Sequence, residues 1–128
     1  MLGKTLMFAA ALAAAPVALA CGVCIDDKVA SVYDHAQVQH AFAKGQAVVF
    51  CELAGPREAA ALTRQAASAA HGLRGVAPDS VRTSRDLPVL SFALDPAVQA
   101  PGAAVAELRQ RLQREHVTPS LLKVMQAP

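Results

Sequence analysis

Three cysteines are the residues of this chain best suited to chemistry. Two of them, Cys21 and Cys24, form a C-x-x-C within the stretch ALACGVCIDDKVASVYDH. Thiolates one helical turn apart can face a common point, which suits a soft metal ion or disulfide exchange. At a helix start, free backbone N–H groups and the positive end of the dipole favour the thiolate. The third cysteine, Cys51, sits in the apolar run QAVVFCEL and is the candidate third sulfur. Thiolates select Cu(I) and Zn(II) among the common ions. Zn(II) wants four ligands; the chain could offer Cys21 and Cys24 with Cys51, His35 or Asp26, but nothing in the spacing forces these together. Two or three sulfurs satisfy Cu(I), so Cu(I) is preferred to Zn(II).

The residues ahead of the pair set its compartment. Lys4 precedes an apolar run from Leu6 to Ala15, Pro16 breaks the run, and Ala18-Leu19-Ala20 presents small residues at the positions a signal peptidase reads. This is the pattern of a secretory leader over residues 1–20, cut after Ala20. The run falls short of the ~20 residues that a membrane-spanning helix needs, so no transmembrane helix is expected in the mature chain. Cleavage would leave Cys21 at the N-terminus, where its free α-amine could chelate metal beside the thiolate. A lipid on Cys21 is a rival outcome. Export places the protein outside the cytoplasm, in the periplasm if the source is Gram-negative.

The mature chain has the length of one small domain. The whole chain holds 12 basic side chains, and losing Lys4 leaves 11 against 10 acidic ones. So even a balance gives no reason to expect a nucleic-acid partner. The expected partner is a metal ion or another exported protein. With no Trp, one Tyr and four Phe, the core must come from Val, Leu and Ala. Such a core gains from a staple, and an exported compartment permits one. A Cys24–Cys51 bridge would close a loop of ~27 residues, worth roughly 3 kcal/mol in a chain-entropy account. In that case Cys21 is the odd thiol.

The elements that must position these residues follow from periodicity. Ile25, Val29, Val32 and Ala36 recur at helical spacing, which predicts a helix from Ile25 to Lys44 with Gly45 as its stop. Asp34 and Gln37 form a capping-box pattern and mark a break point near Tyr33–His35. Gln46–Leu53 reads as a strand with Val49, Cys51 and Leu53 on one face and Val48, Phe50 and Glu52 on the other. A helix is expected from Gly55-Pro56 to Gly72, and strands at Val81–Thr83 and Val89–Leu94. A last helix, Ala103–Glu115, and a last strand, Pro119–Met125, complete the pattern. The order over residues 46–128 is βαββαβ, the split βαβ arrangement of an α+β, ferredoxin-like sandwich. Residues 21–45 add an extra N-terminal helix, expected to cover the sheet face to which Phe50 points.

The segment CGVCIDDKVASV resembles the C-x-x-C-x-x-x-V segment of heavy-metal-associated domains, which carry copper and related ions on a ferredoxin-like fold. The resemblance implies metal ligation by Cys21 and Cys24. In that family the pair lies between the first strand and first helix. Here it precedes the whole βαββαβ unit, and the corresponding internal loop, CELAGPRE, holds only Cys51. CGVC also resembles the C-x-x-C of thioredoxin-like oxidoreductases, which implies thiol–disulfide chemistry, although no strand precedes Cys21 after cleavage. A non-catalytic interaction module with a purely structural disulfide is the third reading. His35, His40, His71 and His116 are scattered and read as surface or capping residues, and Tyr33 as a packing residue. No nucleophile elbow, phosphate loop or H-E-x-x-H motif is present, so nothing in the sequence supports an enzyme.

Overall fold

A computed structural model describes residues 24–128. The expected leader, Met1–Ala20, and Cys21 lie outside the described residues. The architecture is α+β. Elements follow in the order α1 (Ile25–Ala30), α2 (His35–Ala43), β1 (Ala47–Ala54), α3 (Ala59–His71), β2 (Arg82–Thr83), β3 (Val89–Leu94), α4 (Pro101–Arg111) and β4 (Thr118–Met125), with a 3-10 turn at Gln113–Glu115 before β4. The four strands form one antiparallel sheet in the order β2-β3-β1-β4.

The central strands β1 and β3 pair from Ala47↔Leu94 to Glu52↔Val89 and are buried along nearly their whole length. A strand covered on both faces must be apolar on both, and VVFC and VLSFAL are. Val49, Cys51, Leu53, Leu90, Phe92 and Leu94 point to the side of α3 and α4, where Leu62, Ala66, Val105 and Leu108 close the core. Val48, Phe50, Val89 and Ala93 point the other way, onto Val29 and Val32 and onto Val38 and Ala41 of α2. The segment ahead of Gly45 thus covers the second sheet face.

That segment is not one helix. Asp34 adopts an extended backbone and its Oδ1 accepts the N–H of Gln37 at 3.2 Å, which starts α2 afresh after a turn at residues 31–34. A first-turn N–H that has no partner within the helix finds its acceptor there. The break shifts the buried stripe. Val29 and Val32 are buried, but Ile25 is 54% exposed and Ala36 also faces solvent. Gln37 does not complete a capping box, because its Nε2 donates to the carbonyl of Ser80 instead. Gly45 ends α2 with φ +70, the left-handed backbone that glycine adopts without strain.

Helix α3 starts at Ala59 rather than at Pro56. A Cβ at Gly55 would lie 2.7 Å from Leu62 Cδ2 and 3.2 Å from the His116 carbonyl. The chain is therefore pressed against its neighbours at this bend, where a residue with a side chain would not fit without a shift. Helix α4 begins earlier than expected, with Pro101 in its first turn, and gives way to the 3-10 turn after Arg111. Strand β4 lies at the sheet edge with Pro119 opposite Leu53. The Leu53 N–H donates to Pro88 at 2.7 Å, toward β3. Pro119 therefore turns its backbone to the open side, where a missing N–H costs no ladder bond. Arg109 Nη2 donates to the Pro119 carbonyl at 3.0 Å and occupies the acceptor at that edge.

Candidate functional site

Cys24 occupies the cap position of α1, with extended backbone (φ −68, ψ 163), and its side chain is exposed. The thiol donates to Asp27 Oδ2 at 2.9 Å, and the carbonyl accepts the Lys28 N–H at 3.0 Å. Lys28 in turn reaches both carboxylate oxygens of Glu52 at 2.9 and 3.0 Å, which ties α1 to β1. The Cys24 sulfur is thus held at the surface, on an element anchored to the sheet, and it forms no disulfide among the described residues.

Cys51 is in a different environment. It is wholly buried among the side chains under α3 and α4. Burial pushes its thiol up to about 12. A metal ligand must be a thiolate, and at neutral pH Cys51 is a core thiol. Helix α1, with Cys24 at its start, packs against the opposite face of the sheet through Val29. The expected third sulfur and the alternative Cys24–Cys51 staple both require the two side chains to meet. The sheet separates them, and both thiols are free. Nor do the other nearby donors converge. His35 Nδ1 lies 3.1 Å from the Tyr33 hydroxyl, and Asp26 is exposed. Among the described residues no group of three or more His, Cys, Asp or Glu side chains is placed to hold a metal ion. Cys24 supplies one accessible sulfur, and the only other cysteine close to it in sequence is Cys21.

The structure also forms a site that local sequence patterns do not reveal. A cleft of about 660 Å³ runs along α2, walled on the far side by residues 77–80 and floored by Ala93 of β3. The α2 wall has two rows at helical spacing. Ala36, His40 and Lys44 form the outer, exposed row, and Gln37 and Ala41 the inner, buried one. One end is built around Arg82. Its Nε lies 3.3 Å from Asp34 Oδ2 and its Nη1 donates to the Asp79 carbonyl at 2.6 Å. The Gln37 N–H and then the Arg82 guanidinium hold the Asp34 carboxyl below its usual range. Asp79 takes a left-handed backbone (φ 63), which aspartate tolerates better than most residues. The inner wall is locked by Ser80, whose Oγ donates to the Ala77 carbonyl at 2.7 Å and accepts the Ala93 N–H at 3.1 Å.

Comparison with known proteins gives no match to any family model, to any curated protein or to any solved structure. No helix among the described residues is long and apolar enough to cross a membrane.

Proposed function

We propose that this protein is an exported carrier of a soft metal ion, Cu(I) in preference to Zn(II), held by Cys21 and Cys24. The observation that carries the proposal is the contrast between the cysteines. Cys24 is free, exposed and anchored at the surface, three residues after Cys21, whereas Cys51 is sealed in the core. Two sulfurs with no fixed third ligand suit Cu(I) better than Zn(II). When bound, the ion would draw on Cys24 as one ligand and on the Cys21 thiolate, with its α-amine available if the leader is removed as expected. The fold is best read as ferredoxin-like with two added helices. The strand order β2-β3-β1-β4 and the packing of both crossover helices, α3 and α4, on one sheet face support that reading.

Competition between the mature chain and a chromophoric Cu(I) chelator tests the proposal. One equivalent of Cu(I) should bind to the unmodified protein and to Cys51→Ala. Cys24→Ser should lose that binding while its metal-free melting temperature stays unchanged. Retention of Cu(I) by Cys24→Ser would overturn the proposal. So would a Cys21–Cys24 disulfide that exchanges with glutathione in a protein that takes up no copper.

A further inference from the structure

We propose that the cleft along α2 is a second binding site, independent of the cysteines, and that it takes a short peptide with free ends in extended form. Three features of the cleft converge on this ligand class. The first is size. A volume of about 660 Å³ falls within the roughly 300–1,000 Å³ of small-molecule sites. From Asp34 to Lys44 the wall climbs ten positions, or about 15 Å at helical rise. An extended chain covers that span in four to five residues at ~3.3–3.6 Å each.

The second feature is polarity along the cleft. At one end the carboxylates of Asp34 and Asp79 outnumber the single guanidinium of Arg82, which is already engaged. At the other end stands Lys44, which has no ion-pair or hydrogen-bond partner for its ammonium group among the described residues. A peptide laid with its ammonium toward Asp79 and its carboxylate toward Lys44 matches both ends. A dicarboxylate or a diamine matches one end and is repelled at the other.

The third feature is a fixed acceptor between the two ends. Gln37 is 8% exposed, and its amide orientation is set by chemistry, because only its NH₂ group can donate to the Ser80 carbonyl. Its Oε1 therefore remains as an acceptor on the cleft wall, with no hydrogen-bond donor among the described residues. A peptide N–H supplies one. The small side chains that line the cleft with it, Ala41, Ala77 and Ala93, let a backbone approach closely.

Tetra-alanine is the probe, followed by amide chemical shifts of the full mature protein and by calorimetry. The expected result is saturable shifts at residues 36–44, 77–82 and 93. Amidating the peptide's C-terminus should weaken binding about two- to fivefold, the scale of one rim ion pair. The same amidation should have no effect in Lys44→Gln. Acetylating the N-terminus should weaken binding likewise in the unmodified protein and not in Asp79→Asn. Both side chains are exposed, and asparagine accepts a left-handed backbone as aspartate does, so the variants should fold. Absence of shifts along the cleft, or amidation and acetylation effects that persist unchanged in the two variants, would overturn the proposal. Cu(I) binding is read separately, so failure of either site leaves the other standing.

Discussion

The sheet carries two helical layers of different character. Under α3 and α4 the buried side chains are mostly aliphatic and aromatic: Leu62, Leu90, Phe92, Leu94 and Leu108 meet with Cys51 among them, and Thr63 is the buried polar residue of α3. Under α1 and α2 the helices are short, six and nine residues, and polar groups enter the interior. Gln37, Ser80 and Ser91 are all buried there. The exposed thiol and the cleft both belong to this second side. The first layer holds the sheet together by apolar burial. The second gives up part of that burial to polar side chains.

The comparison predicts unequal costs for truncation. Leu108→Ala, on the α3/α4 side, should destabilise by about 2–5 kcal/mol through lost transfer energy and a cavity. Val38→Ala, on the α2 side, removes fewer buried atoms, so about 1.5 kcal/mol is expected. Urea titration of both variants checks the order, and equal losses would break the contrast.

The two sides also differ in what alkali does to them. The Cys51 thiol, ordinarily at 9.0, is pushed up to about 12 by burial. The fold favours the neutral thiol, so its contribution is complete below pH 9.0 and is lost as pH rises toward 12. The loss amounts to about 1.4 kcal/mol per pH unit. Cys51→Ala should remove this component, and its stability should fall less steeply over that window. Identical slopes would mean that Cys51 is not sealed as described.

How legible this was from sequence depended on how local each feature is. The faces of β1 follow from its side-chain period, because residues two apart share a side, and the bounds of β3 from an apolar run set between Arg85–Pro88 and Asp95-Pro96. The restart at Asp34 was visible in its capping pattern. The late start of α3 was not, because Gly55-Pro56 matches a helix-start pattern and the chain nevertheless enters the helix only at Ala59. The burial of Cys51 was legible as a residue on an apolar strand face, but its separation from Cys24 required knowing which face α1 covers. The cleft has no local signal. Its walls come from α2 and residues 77–82, and each wall alone is an ordinary amphipathic or turn segment.

Smaller effects sharpen the contrast. Ser91 is wholly buried on the α1/α2 side and its Oγ has no hydrogen-bond partner among the described residues. An unpaired buried hydroxyl costs about 1–3 kcal/mol, so Ser91→Ala should be neutral or stabilising by about 1 kcal/mol in the same titration. A clear loss would show that the hydroxyl is satisfied. The smallest effect is expected at the surface. The Asp34 carboxyl is lowered from 3.8 by the Gln37 N–H and by Arg82. Its contribution is present above pH 3.8 and is lost as pH falls through the lowered native value. Asp34→Asn keeps an acceptor for the Gln37 N–H and removes the charge. Its stability should fall less on acidification than that of the unmodified protein, and a parallel acid limb would place the titration elsewhere.

The central claim is that Cys21 and Cys24, and not the core cysteine, do the chemistry. Native intact mass of the protein recovered from its exported compartment, without added metal, tests it most directly. The account predicts a chain beginning at Cys21 and carrying one copper ion, in the unmodified protein and in Cys51→Ala alike. A metal-free chain two hydrogens lighter than its reduced form would contradict it.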